Sequence, residues 1–280
     1  EYTRLAAFAI DHRHQFIKWA KASGKSLADV AKFKLLAVQA AQQEAGEDKG
    51  FGMLVDDKTG RAALHQMTST KAWIGRPIEA SGEFPLQLEA EGDIVQHLYD
   101  WPLNQTVKVL CPYRLDDDAA TRKHHEQLML QLDRACRFTG HQWLLEIITA
   151  RDGNSPAFDQ VAAIMQHFYD LGVKPDWWKL EPALNHDYWR GVGEVIDAND
   201  SYCQGIIVLG LNGTIDSISE AFNAAAKQPW VKGFAVGRTL FAEAAQGWFQ
   251  GHLNDAQAID LMAKNYRLII AAWDNAQAQK

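Results

Sequence analysis

Lys179 and Glu181 stand two residues apart in Pro175-Asp-Trp-Trp-Lys-Leu-Glu-Pro182. The stretch reads as a short buried strand that stops at a proline. Strand side chains alternate with period two, so the lysine and the glutamate point the same way. Trp177 and Trp178 would strip water from the amine, and desolvation lowers a lysine pKa because the charged form loses most. An amine partly neutral near pH 7 attacks carbonyl carbons and forms Schiff bases. The plain alternative is a Lys–Glu surface pair at a strand end.

Other charges fall in equally apolar settings. Lys108 sits in Val-Lys-Val-Leu and Glu146 in Leu-Leu-Glu-Ile-Ile. A charge buried in a strand is costly unless it is paired. Asp11 and Arg13 follow the first apolar run, and Asp56 follows the second. A structural ion pair accounts for any one of these. Two lysines and several carboxylates on neighbouring strands are harder to account for in that way. Lys108 close to Lys179 would depress the Lys179 pKa further through like-charge repulsion. Glu146 and Glu181 are the candidates to move protons.

Two later apolar runs end in Gly210-Leu-Asn-Gly213 and Gly237-Arg238-Thr239. Glycine lets backbone N–H groups approach an anion, a following helix N-terminus favours it, and arginine binds it bidentately. Gly210, Gly237 and Arg238 are therefore expected at a phosphate. Arg13, Asp56 and Glu181 are expected at the rest of a substrate. Glycine after a strand is also ordinary turn chemistry. His12 and His14 flank Arg13, and His124 and His125 adjoin on a helix expected to be exposed. Solvated histidines explain these best, so no metal and no cofactor is assigned, although metal assistance stays open.

The elements that position these residues alternate. Apolar strands are expected at Leu5–Ile10, Phe51–Val55, Lys71–Gly75, Thr106–Leu110, Trp143–Ile148, Trp177–Glu181, Gly205–Leu209 and Gly233–Val236. Helical periodicity fills most intervals, with Gly46 and Gly50 bracketing the turn before the second strand. The interval from Arg76 to Glu91 reads as a long ordered loop with room for a hairpin. Eight strand–helix units imply parallel strands and a closed (β/α)8 TIM barrel in one α/β domain over residues 1–280. A doubly wound open sheet is the alternative, but its Gly-rich first turn is missing: this chain has Asp11-His12-Arg13 there. In a barrel the polar residues at the C-terminal strand ends converge on one face, and the loops after the last two strands are the usual phosphate site.

The chain has 280 residues, is 47% hydrophobic and carries a formal net charge of -7. With no basic block, nucleic-acid binding is not expected. With no apolar run of spanning length, neither is a membrane segment. Three cysteines without ligand spacing fit reduced thiols and a cytoplasmic protein. The start, Glu1-Tyr2-Thr3, suits a processed piece of something longer.

Phe8-Ala-Ile-Asp-His-Arg13, Leu54-Val-Asp-Asp57, Trp73-Ile-Gly-Arg-Pro77, Asp176-Trp-Trp-Lys-Leu-Glu-Pro182 and Gly233-Phe-Ala-Val-Gly-Arg-Thr239 together resemble one family. It is the bacterial 2-deoxy-5-keto-gluconate 6-phosphate aldolase domain, found fused behind 5-dehydro-2-deoxygluconokinase in inositol catabolism. The likeness runs over essentially the whole chain. The chain is also distantly similar to the class I tagatose-bisphosphate aldolases, which have glutamine where this chain has His12. The resemblance implies a lyase in which Lys179 is the Schiff-base lysine. It makes Lys108 and Glu146 the polar partners, places Asp11 near the substrate hydroxyls, and has Arg238 with Gly237 bind phosphate. It further implies a homo-oligomer, a small sugar phosphate as substrate and a sugar kinase, fused or separate, as a partner. Two alternatives accompany it: a non-catalytic sugar-phosphate-binding module that regulates a carbohydrate kinase, and a metal-dependent aldolase.

Overall fold

A computed structural model describes residues 2–45, 50–90, 92–150 and 155–279. Eight parallel strands close into a barrel in sequence order. They are β1 Leu5–Ala9, β2 Phe51–Leu54, β3 Trp73–Pro77, β4 Gln105–Pro112, β5 Trp143–Ile148, β6 Trp177–Leu180, β7 Gly205–Leu209 and β8 Val231–Val236. The expected (β/α)8 barrel is what forms. Around it lie α1 Arg13–Ala22, α2 Leu27–Ala45, α3 Arg61–Thr68, α4 Ile94–Tyr99 and α5 Ala119–Thr139. The ring continues with α6 Phe158–Asp170, α7 His186–Asn199, α8 Ile215–Ala225, α9 Arg238–Phe249 and α10 Asp255–Ala278. The expected turn residue Gly46 and the loop end Glu91 lie outside the described residues.

The strand faces sort by size. Leu5, Ala7 and Ala9 of β1, Ala235 of β8 and Ile207 of β7 point inward with Leu54, Leu144, Trp73 and Trp177. Two indoles thus plug the barrel below small side chains, and the space above the alanines stays open. The alternate residues pack outward under the helices: the Trp178 indole N–H donates to the Tyr169 hydroxyl at 2.9 Å. The β1–β8 seam closes tightly. A Cβ on Gly233 would lie 1.7 Å from the Leu5 carbonyl oxygen, so only glycine lets these backbones meet.

Helix starts follow their capping residues. Asp118 accepts from the Ala120 and Thr121 N–H groups at the start of α5, and Asn254 with Gln257 forms a capping box on α10. α1 is absent from the expected elements. Only Phe16 and Ala20 form its buried apolar stripe, and its lysines and histidine mask that period. The 76–90 segment does fold back on itself: Glu79 and Leu88 form an antiparallel bridge. All three cysteines are buried and unbonded. Among the described residues no helix is long and apolar enough to cross a membrane.

Candidate active site

Inward positions of β4, β5 and β6 bring Lys108, Glu146 and Lys179 together at the C-terminal end of the barrel. Register sets this: Glu146 lies opposite Lys179, and Leu110 opposite Glu146. Lys179 Nζ donates to Glu146 Oε1 at 2.8 Å. Lys108 Nζ lies 3.2 Å from Asp11 Oδ2, 2.9 Å from Glu79 Oε1 and 3.0 Å from Glu146 Oε2. The last contact is off the angle of a hydrogen bond, so Glu146 Oε2 keeps an uncommitted lone pair. All five side chains are buried.

Burial alone would neutralise such groups; their mutual arrangement prevents it. Burial pushes the Asp11 and Glu146 carboxyls up, but Lys108 above all, helped by Lys179, holds both below the usual carboxylate range. Burial pushes the Lys108 ammonium down, but Glu146, Glu79 and Asp11 hold it well above a usual lysine. Lys108 is thus a fixed cation wedged among three carboxylates. Among the described residues no group of three or more His, Cys, Asp or Glu side chains has the arrangement of a metal site.

A cavity of about 320 Å³ opens from this cluster toward β7 and β8. Lys179 and Glu146 line one end; Gly210, Leu211, Asn212, Gly237, Arg238 and Thr239 line the other. Its middle is framed by the small side chains of Ala9 and Ala235. Arg238 is the first residue of α9, whose N-terminus no side chain caps. Its guanidinium makes no ion pair or hydrogen bond to the described residues, and burial lowers its pKa. An unpaired guanidinium at an open helix N-terminus is a ready anion site. Leu211 and Asn212, at φ 41 and 62, hold the β7 turn in the left-handed region, and Thr239 Oγ1 donates to the Gly213 carbonyl at 2.6 Å, tying the two turns together. A larger cavity, about 480 Å³, lies at the opposite, N-terminal end near Arg137, Lys174 and Asp176. Asp176 there accepts the Trp143 N–H and so anchors the backbone.

Three of the expected substrate contacts have other partners. Arg13 is buried and gives its guanidinium to the Glu79 carbonyl and to the Glu79 and Glu89 carboxylates. Asp56 is paired with the buried Lys34 of α2 and accepts from the Thr59 N–H and hydroxyl. Glu181 follows β6 and points into the β5 turn, accepting from Thr149 and from the Ala150 N–H. None of the three is among the residues that line the cavity. The helix carrying His124 and His125 is not exposed there. His125 is fully buried. Its Nε2 accepts the Leu86 N–H at 3.0 Å, and His124 Nε2 donates to the Leu86 carbonyl at 2.7 Å.

Glu79 was not expected at the site. It continues the inward alternation of β3 (Trp73, Gly75, Pro77), and that period would have found it. His12 was not expected either. Its ring lines the cavity, packs edge-on against Phe241 at 5.1 Å, and faces Asp11 across 3.7 Å.

The model of a family described as "Uncharacterized protein conserved in bacteria (DUF2090)" matches residues 1–277. None of the curated proteins compared matches the chain. Among solved structures, a fructose-bisphosphate aldolase from Plasmodium falciparum, crystallised with TRAP and a small-molecule inhibitor, superposes with a TM-score of 0.69 at 11% identity. The match covers 98% of this chain and 91% of that one. Cgl0159 from Corynebacterium glutamicum superposes with a TM-score of 0.59 at 20% identity, covering 96% of this chain and 86% of that one. At such identities the likeness is one of fold.

Proposed function

For a chain that belongs to the DUF2090 family, we propose the activity of a Schiff-base aldolase that cleaves a ketose phosphate. The observation that carries this reading is one cavity with a lysine–glutamate pair at one end and an unpaired arginine at the other. The fold shared with a fructose-bisphosphate aldolase agrees with it, though fold alone does not fix chemistry.

In the proposed reaction Arg238 and the α9 N-terminus hold the phosphate. Lys179, after passing a proton to Glu146, attacks the substrate ketone. Loss of water gives an iminium, which draws electrons from the neighbouring carbon–carbon bond. Glu146, having returned the amine's proton to the departing water, takes through Oε2 the proton of the hydroxyl on the far carbon of the bond that breaks. The bond breaks, releasing an aldehyde and leaving an enamine on Lys179. Protonation and hydrolysis return the amine and release the second product. Lys108 carries a fixed positive charge that keeps Glu146 ionised between steps. The substrate we propose is 2-deoxy-5-keto-gluconate 6-phosphate, which this cleavage divides into dihydroxyacetone phosphate and malonate semialdehyde.

Borohydride added with dihydroxyacetone phosphate should leave a reduced adduct on Lys179, read by peptide mass spectrometry. Lys179→Met should remove the adduct and lower kcat at least about a thousandfold, while the variant still binds the phosphate. Turnover that survives in Lys179→Met, or that vanishes with a chelator while no adduct forms, would overturn the Schiff-base mechanism.

A further inference from the structure

His12 follows β1 and precedes α1, and its ring enters the same cavity as Arg238 and Lys179. Two contacts fix the ring plane. Phe241 packs on it edge-on. Gly237 lies under it so closely that a Cβ there would meet His12 Cε1 at 2.6 Å. One nitrogen is accounted for: Nδ1 is buried, faces Asp11 Oδ1 at 3.7 Å, and forms no hydrogen bond. The other, Nε2, has no partner among the described residues and is not buried. An imidazole held in place with an open nitrogen beside an unpaired guanidinium is a half-built anion site.

Resting on the aldolase reading above for its ligand, we propose that His12 is a substrate-binding residue whose Nε2 hydrogen-bonds the anionic group docked on Arg238. Charge explains why the contact awaits the ligand. Burial, with Arg238, Lys179 and Lys108, keeps the free imidazole neutral at a pKa of about 4, against the pull of Asp11. Glu146 also lines the cavity, but its charge is balanced by the two lysines. Arg13 is committed to Glu79 and Glu89. An arriving dianion cancels the Arg238 field and adds its own. The ring then gains a proton, and both nitrogens become donors: Nδ1–H toward Asp11, and Nε2–H to the anion. Anion binding is thus coupled to proton uptake at one histidine. A neutral carbonyl or hydroxyl ligand would not produce this.

Sulfate is the probe, because it does not itself titrate near neutrality. In the wild-type chain, NMR of the His12 ring should show its titration midpoint rising by about two and a half units in saturating sulfate. His12→Gln should weaken sulfate binding about tenfold at pH 5.5 and little at pH 8. A His12 midpoint that sulfate leaves unchanged, while Arg238→Met abolishes sulfate binding, overturns the proposal and keeps the Arg238 site. Sulfate that does not bind at Arg238 overturns both. Borohydride trapping at Lys179 reads the aldolase reaction independently, so a missing adduct with the sulfate-dependent shift present sinks the aldolase reading and leaves His12 in its role.

Discussion

Lys108 decides the charge balance of the site at the scale of single residues. It is the common partner of Asp11, Glu79 and Glu146, and among the described residues no other lysine or arginine bonds to Asp11. Removing one partner of a buried ionic cluster leaves the rest uncompensated, which costs more than the pair contributes. Lys108→Met should therefore destabilise the fold by roughly 3–5 kcal/mol, read from the urea midpoint. A loss below about 1 kcal/mol would mean that water, not Lys108, neutralises the carboxylates. Glu146→Gln keeps the shape and removes the base, so kcat should fall about a hundredfold or more with sulfate binding intact. Lys108 and Glu146 were legible in the sequence as lone charges in apolar strands, and Lys179 as a lysine set between Trp178 and Leu180. Glu79 was not, because Pro77 reads as a strand terminator. In the barrel Pro77 sits at the last residue of β3, where the next N–H, of Ile78, resumes bonding to the Lys108 carbonyl.

At the scale of elements, the end of β8 and the start of α9 turn the strand's chemistry into a binding corner. Gly237 has no room for a side chain: a Cβ would lie 2.6 Å from the Ala9 carbonyl oxygen and 2.6 Å from His12 Cε1. The β1 backbone cannot yield without opening the seam. Gly237→Ala should displace Arg238 and weaken sulfate at least about tenfold, at a stability cost of roughly 1–3 kcal/mol. Calorimetric titration checks the first and thermal unfolding the second; sulfate affinity equal to wild type would show that the corner tolerates the shift. Glycine followed by arginine after an apolar run pointed to this corner from sequence. The roles of Arg13, Asp56 and Glu181 were misplaced because period two gives a side chain's face but not its reach. Each finds a closer partner in a neighbouring turn or helix: Glu79 for Arg13, Lys34 for Asp56, Thr149 for Glu181. Lys34 lies in a helix where the apolar stripe of α2 gave no sign of it.

For the whole molecule, eight alternating apolar runs made the barrel legible, and the helix layer around it sets how the fold meets acid. His12 and His125 are kept neutral, burial first, with pKa values pushed down to about 4. Unfolding returns them to about 6.5, so between those values the unfolded chain binds the extra protons and stability falls as pH drops. Asp11 and Glu146, held low, keep their full contribution above the ordinary carboxylate range and lose it only below that. Glu181 and Asp176, raised by burial, work in the opposite sense, since the fold protonates them before the unfolded chain does. The net expectation between pH 6.5 and 4.5 is a decline led by the histidines. His125 gives the sharper test, because its Nε2 accepts the Leu86 N–H and protonation must break that bond. Its share of the decline is at most about 2 kcal/mol between pH 6.5 and 4.5. His125→Asn should be less stable than wild type at pH 7, by about 1–3 kcal/mol for the lost contacts of the Leu86 clamp. Its stability should then change less with pH, so that urea midpoints of the two proteins converge as pH falls to 4.5. Midpoints that stay parallel across that range would show that His125 titrates alike in both states, and that the clamp does not depend on its neutrality.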